Sequence, residues 1–368
     1  MKRCSRCVLP ETYPNTFFDE QGVCNHCLNH RDPAPVAQDS LLSHLEEAKR
    51  RSRGYDVLVP LSGGKDSTYV LYLATKVYGL SVLAYTFDNG FLSETALANI
   101  EAALRRTGAD HVFFKPNWDT MRRLYRSTLL RSGELCSACG IGMEHGMLKV
   151  SADWDIPLIL RGNSAMEQGS YPPENIYDVN RFKAIVADAG EVSEDELNRF
   201  LIYPDLSSER RFEWTWVLRR FGQLMNPLEY GDKQSEAEIG ELLSGEMGWQ
   251  DRGKHSDCWA EPFSNLVREL RHGYSRRACQ LSNLIRAGEM TRETALALLS
   301  EQPQEEAVSK DMVLDRLGLS ASDMEVIASA PLYQYERYVA APSRPVRKLA
   351  HRLVLKARYR VRHWQGYA

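Results

Sequence analysis

Six consecutive residues, Ser62-Gly63-Gly64-Lys65-Asp66-Ser67, bring together two glycines, two hydroxyls, an ammonium and a carboxylate. They sit between a short apolar run (DVLVPL, 56–61) and a helical pattern that ends at Gly79. Glycines let backbone N–H groups approach an anion closely, and the start of the next helix adds positive dipole. Ser62, Ser67 and Lys65 complete a cradle for phosphate. The spacing is not that of a Walker A loop, which puts four residues between its first glycine and the Gly-Lys pair.

A second chemistry is written in cysteine. Cys4-x-x-Cys7 and Cys24-x-x-Cys27 are separated by sixteen residues that include Pro, Asn, Asp and Gly. Two knuckles at that spacing offer four thiolates to one tetrahedral zinc ion. So short a segment builds no core alone, so the metal supplies its folding energy. His26 and His30 are nearby but surplus to a filled four-sulfur site. A third C-x-x-C, Cys136/Cys139 in LCSACGIGM, has no second pair beside it, and distant Cys258 in KHSDCW is the cysteine available to join it. Cys279 reads as a small buried apolar residue.

These groups need a scaffold. Residues 1–30 read as a zinc ribbon, and 31–53 as a linker followed by a helix from Leu41 with a basic end. From Tyr55 onward strands (DVLVPL, LSVLAYTF, HVFFK, IPLILRG) alternate with helices, one capped by Ser93 and stopped at Gly108. That alternation predicts an α/β fold, a parallel sheet with flanking helices. Ligands on such sheets bind at the carboxyl ends of the strands. There lie Asp88, Asn89 and Gly90 after the second strand, and Gly162, Asn163 and Glu167 after the fourth. Ser193 and Glu196 predict a capping box. The aromatic EWTWVLRRFG reads as packing surface, and residues 244–259 as a loop. Residues 261–343 read as a mainly helical C-terminal part, in which 262–300 are helix ending in MTRETALALLSE, with Thr291 as a cap.

The chain has 368 residues, 43% hydrophobic and 26% charged, with a formal net charge of −3. Those values describe a soluble globular chain without an overall basic coat for nucleic acid. No apolar run is long enough to span a bilayer, and MKRCSRC leads into no signal-peptide core. The expected location is cytoplasmic. The last 25 residues, 344–368, carry eight Lys or Arg and no acid. This basic amphipathic tail suits peripheral contact with an anionic membrane, contact with tRNA phosphates, or packing on its own protein.

Ser-Gly-Gly-Lys-Asp-Ser resembles the signature of the PP-loop ATP pyrophosphatases. The resemblance implies a PP-loop/HUP-like ATP pyrophosphatase domain over 54–260, binding ATP with Mg²⁺ through Ser62, Gly63, Gly64, Lys65, Asp66 and Ser67. It also implies the chemistry: a substrate oxygen takes AMP, pyrophosphate leaves, and a nucleophile displaces AMP. Lys65 would stabilise phosphate charge and Asp66 would hold metal or orient the loop. Asp88, Gly162, Asn163 and Glu167 would lie near the nucleotide.

Within that superfamily, CSRCVLPETYPNTFFDEQGVCNHC, VPLSGGKDSTYV, DNGF and LIRAGEMTRETALALL resemble the N-acetyl sugar amidotransferases over roughly residues 1–300. Those enzymes turn an acetamido group, usually on a nucleotide-linked sugar, into an acetamidino group for surface polysaccharide. Their ammonia comes from a separate glutaminase and a delivery subunit, and this chain has no glutaminase signature. The central cysteines depart from that family. Cys136, Cys139 and Cys258 resemble instead the trio that holds a [4Fe–4S] cluster in PP-loop tRNA thiolation enzymes. Four readings of the trio stand open: that cluster, a thiol–disulfide or persulfide relay, a second zinc site completed by His255, and unligated structural thiols. Sulfur insertion, with its own sulfur donor, is therefore the alternative to amidation. A non-catalytic nucleotide-binding scaffold is the third reading.

Overall fold

The computed structural model describes residues 2–31, 37–162, 177–201, 223–231, 234–251 and 257–331. Asn163, Glu167, His255, the aromatic run at 213–222 and the basic tail lie outside them. Five strands run parallel in the order β3-β2-β1-β4-β5. They are β1 Val57–Pro60, β2 Val82–Phe87, β3 Asp110–Phe114, β4 Leu158–Leu160 and β5 Gln223–Met225. The short β5 was not expected, because three residues are too few to display an alternation.

The described helices, in chain order, are α1 Asn25–Leu28, α2 Gln38–Arg51, α3 Lys65–Tyr72, α4 Glu94–Thr107, α5 Trp118–Ser132, α6 Cys136–Asp153 and α7 Val179–Ala189. They continue with α8 Glu194–Leu201, α9 Glu236–Met247, α10 Glu261–His272, α11 Arg276–Arg286, α12 Arg292–Leu317 and α13 Asp323–Ser329. Ser93 caps α4 by accepting from the Ala96 N–H, and Gly108 ends it in the left-handed conformation. Ser193 and Glu196 form the expected reciprocal box. Two boundaries differ from expectation. Ser244–Met247 is the last turn of α9 rather than loop, because the helix begun at the capping box of Ser235 and Glu238 stops only at Gly248, in the left-handed conformation. The helix capped by Thr291 runs on to Leu317.

The period-2 geometry of the strands divides the interior into two layers. Leu58, Leu83, Tyr85, Phe87 and Ile159 face a core built with α5, α6 and α10. Val57, Val59, Val82, Ala84, Leu158 and Leu160 face one built with α2, α3, α4 and α9. Each fully buried aliphatic side chain contributes about 1.5–3 kcal/mol. Leu41, Leu45 and Ala48 of α2 are buried there, whereas Leu42 is exposed.

The strand order decides where a ligand fits. From β1 the chain moves outward through β2 to β3, then returns to the other side of β1 for β4 and β5. The crevice where the order reverses lies between the carboxyl ends of β1 and β4. The 62–67 loop leaves one of these strands and Arg161-Gly162 leaves the other.

The first thirty residues do not stand apart. Val8 packs with Leu281 and Ala295, and the four N-terminal cysteines pack with Leu9, Tyr274 and Cys279. Arg292 donates from Nε to the carbonyls of Cys4 and Cys7, at 3.2 and 3.0 Å. Cys279 is buried, as expected, beneath this contact.

Candidate functional site

The loop after β1 is braced across itself. The Ser62 N–H donates to Ser67 Oγ at 3.1 Å, and the Gly64 N–H to Ser62 Oγ at 3.3 Å. Ser67 Oγ and Thr68 Oγ1 donate to the Gly64 carbonyl at 3.1 and 2.8 Å. Gly63 has φ +81°, and a methyl there would stand 2.4 Å from the Ala96 carbonyl oxygen. Only glycine fits. Its carbonyl is clamped from outside the loop, by Asn99 Nδ2 at 3.1 Å and Trp249 Nε1 at 3.0 Å.

Lys65 begins α3 and is mostly buried. Its ammonium lies 3.0 Å from Asp66 Oδ1 and also pairs with Glu236, the first residue of α9. Burial works against the charge, but the two carboxylates outweigh it and hold the Lys65 pKa above its ordinary value. Burial pushes the Glu236 carboxyl up, against the pull of Lys65. The Lys65 ammonium is thus charged and positioned. Gly162 packs against the start of α3, and a methyl there would meet the Asp66 carbonyl at 2.9 Å. Asp88 pairs with Lys115 at 3.2 Å and accepts from the Gly90 N–H.

The three central cysteines converge beside this loop. Cys136 and Cys139 lie in the first turn of α6, whose helical spacing puts them on one face. Cys258 reaches them because its segment pairs with the turn after β2: Leu92 and Cys258 form an antiparallel bridge. The Trp259 N–H donates to the Phe91 carbonyl at 2.9 Å, and the Ser93 N–H to the Asp257 carbonyl at 3.2 Å. Asn89 Nδ2 then stands 3.6 Å from Cys139 Sγ and 3.5 Å from Cys258 Sγ. Asp257, next to Cys258, turns toward the 62–67 loop. A methyl on Gly64 would lie 3.4 Å from its Oδ2.

Burial pushes all three thiols up. Cys139 reaches about 12, raised by burial and by Cys136 and lowered by Asn89 and Tyr125. Cys136 is raised by burial against Ser264, Arg268 and Arg276. Cys258 lies well above its ordinary value through burial, Cys139 and Asp257. A neutral thiol is a poor nucleophile, whereas a bound cation drives the proton off.

The N-terminal cysteines form a tighter group, with all four sulfurs within 4.8 Å of one another. The Cys4–Cys27 and Cys7–Cys24 separations are 4.0 and 3.8 Å. A tetrahedral zinc site with Zn–S of about 2.3 Å has edges of about 3.8 Å. Backbone N–H groups of Arg6, Cys7 and Cys24 point at Cys4 Sγ, at 3.1–3.4 Å, as expected around thiolate charge. The residues fit the ion.

The structure therefore brings Ser62–Ser67, Gly162 and the three central cysteines to one edge of the sheet. Sequence reasoning missed Glu236, Asn99, Trp249 and Asp257. Each is brought in from a distant part of the chain, and no local pattern marks it.

Residues 256–350, a stretch that begins just before Cys258, match the family described as "LPS biosynthesis protein WbpG-like, C-terminal domain". The likeness to known proteins thus continues past residue 300. Over 196 residues the chain is 26% identical to "Cytoplasmic tRNA 2-thiolation protein 1" of Eremothecium gossypii, covering 50% of this chain and 51% of that protein. Over 87 residues it is 32% identical to "GMP synthase [glutamine-hydrolyzing]" of Pyrobaculum aerophilum, covering 24% of this chain and 17% of that protein. The chain spans about half the length of the first of these relatives and less of the second. The solved structure "U34-tRNA thiolase NcsA from Methanococcus maripaludis with its [4Fe-4S] cluster" aligns over 93% of this chain and 92% of that one. Its identity is 15% and its TM-score 0.32, a likeness that carries no argument here. The sequence matches support the PP-loop superfamily. Among the described residues no helix is long and apolar enough to cross a membrane.

Proposed function

We propose that this chain is an ATP-dependent enzyme that adenylates a carbonyl oxygen of an N-acetyl sugar and replaces that oxygen with nitrogen. The observation that carries the activation step is Lys65, charged and fixed at the head of α3 beside the braced 62–67 loop. The substrate class rests on the resemblance of residues 1–300 to the N-acetyl sugar amidotransferases, and the match of residues 256–350 to an LPS biosynthesis domain supports a role in surface polysaccharide. In the first step the carbonyl oxygen attacks the α-phosphorus of ATP, the bond from that phosphorus to the bridging oxygen breaks, and pyrophosphate leaves. Adenylation turns a poor leaving group into a good one. Ammonia then forms the new C–N bond, the C–O bond breaks, AMP departs and a proton goes to solvent.

Lys65 meets phosphate charge in this scheme, and the N–H groups of Gly63, Gly64 and the first turn of α3 surround the anion. Asp66 fits Mg²⁺ by donor chemistry. When bound, that ion neutralises triphosphate charge. Asp88 and Gly162 belong to the nucleotide's surroundings. Separate glutaminase and ammonia-delivery subunits are the partners this reading requires, and Zn²⁺ belongs to Cys4, Cys7, Cys24 and Cys27.

The test is direct. The full chain is incubated with ATP, Mg²⁺, a nucleotide-linked N-acetyl sugar and ammonium, and pyrophosphate and the acetamidino product are measured. Sugar-dependent pyrophosphate without that product rules out amidation. Absence of any pyrophosphate rules out the enzyme.

One observation favours a second reading, thiolation of a small molecule or tRNA base: the convergence of Cys136, Cys139 and Cys258 beside the loop. The match to a tRNA 2-thiolation protein points the same way. Sulfide in place of ammonium, with a sulfur-containing product, separates the two.

A further inference from the structure

We propose that Asn89 and Ser264 are positioning residues that hold the three central sulfurs as one ligand set for an iron–sulfur cluster. The inference deepens the second reading above and rests on it for the nature of the cargo-bearing site.

Asn89 is buried, and both ends of its side-chain amide are committed. Its Oδ1 accepts from the Phe91 N–H at 2.7 Å, which leaves Nδ2 as the group facing the sulfurs. An amide nitrogen has two N–H donors, and Nδ2 has two sulfurs in reach, Cys139 at 3.6 Å and Cys258 at 3.5 Å. The Asn89 backbone carbonyl accepts from the buried Tyr125 hydroxyl at 2.9 Å, which fixes the turn from below. Cys136 has its own partner: the Ser264 hydroxyl of α10 lies 3.2 Å from Sγ. Every sulfur of the trio thus has at least one side-chain partner from outside α6.

Structural thiols need no such provision. Cys279 is the internal comparison: it is buried at 2% exposure and makes no side-chain hydrogen bond among the described residues. Hydrogen bonds to sulfur stabilise its anionic form, and donors to ligating thiolates tune both affinity and potential. The trio lacks the compactness of the N-terminal group, which is the group of this kind found within 4.8 Å among the described residues. Wider spacing fits thiolates around a multi-iron cluster better than around a single tetrahedral ion.

The experiment uses the full chain, purified anaerobically and reconstituted with ferrous iron and sulfide. Iron, labile sulfide, the visible spectrum and the electron paramagnetic resonance of the reduced protein are recorded for wild type, Asn89→Asp, Asn89→Ala and Ser264→Ala. Asn89→Asp keeps the acceptor for Phe91 N–H and the side-chain shape while replacing the donor with an acceptor. It should retain iron against a chelator about tenfold or more weakly, with an altered resonance signal. Ser264→Ala should alter the signal with a smaller loss of iron. Zinc content and thermal unfolding report on the fold, and if Asn89→Asp fails to fold, Ser264→Ala and Asn89→Ala carry the test. The proposal is overturned if wild type takes up no iron beyond the N-terminal site. It is equally overturned if the folded variants load and resonate as wild type does. Pyrophosphate release in the same preparation separates the readings: release without iron overturns this proposal and leaves ATP activation intact.

Discussion

Lys65 and Glu236 form an ion pair that joins the start of α3 to the start of α9. The pair neutralises the cradle when no anion is present, and a nucleotide phosphate must compete with Glu236 for the same ammonium. Glu236→Gln should therefore lower the KM for ATP by about fivefold, the equivalent of about 1 kcal/mol. Initial-rate pyrophosphate assays check this. A raised KM would mean that Glu236 takes part in binding instead.

Gly63→Ala tests the loop itself. Its methyl would collide with the Ala96 carbonyl, and its φ of +81° is strained for any other residue. Displacing the loop by a fraction of its width should reduce pyrophosphate release on the order of a hundredfold. Circular dichroism should show the sheet intact, since β1 pairs through Val57–Pro60 rather than through the loop.

Acid should weaken the fold through His145. Burial holds its imidazole below the ordinary value, against the hydrogen bond to the Leu201 carbonyl. The unfolded chain then binds more protons than the folded one as pH falls through about 6.5. Stability contributed by neutral His145 is whole above that value and declines below it. His111 is shifted the same way by burial. Calorimetry between about pH 7 and about pH 5.5 should show a falling Tm, with a shallower slope for His145→Gln.

Arg292 ties the N-terminal cysteine group to α12, and Arg286 Nη1 stands 3.7 Å from Cys7 Sγ. Arg292→Ala should cost about 1.5–3 kcal/mol, the usual range for charge-assisted hydrogen bonds. If zinc fills the four-sulfur group, its removal by a chelator should lower Tm further, because the segment it would hold packs against α11 and α12. Denaturant titration with and without chelator measures both. Equal stability of metal-loaded and stripped protein would show that the ribbon does not support the helices.

Most of the local machinery was legible from residue type and spacing. The strand-loop-helix around Ser62–Ser67 follows from an apolar run, two glycines and a helical pattern, all within one short segment. Likewise Cys4, Cys7, Cys24 and Cys27 announce their four-sulfur group because each knuckle closes over three residues and the loop between them is short. Ser93, Gly108, Ser193 and Thr291 marked helix boundaries through their own side chains or backbone freedom. The strand β5 and the helix α9 escaped, being too short or too weakly periodic to read.

The sequence by itself determined the parallel sheet, the glycine loop between β1 and α3 and the N-terminal sulfur group, since each depends on neighbours along the chain. Only the tertiary structure decided what surrounds them. Cys258 meets Cys139 because its segment pairs with Phe91–Ser93, and Glu236 meets Lys65 because α9 packs on α3. Asn99 and Trp249 hold the Gly63 carbonyl from two further elements. Contacts of this kind are made by single residues brought together through packing of distant elements, and they leave no period or spacing in the sequence.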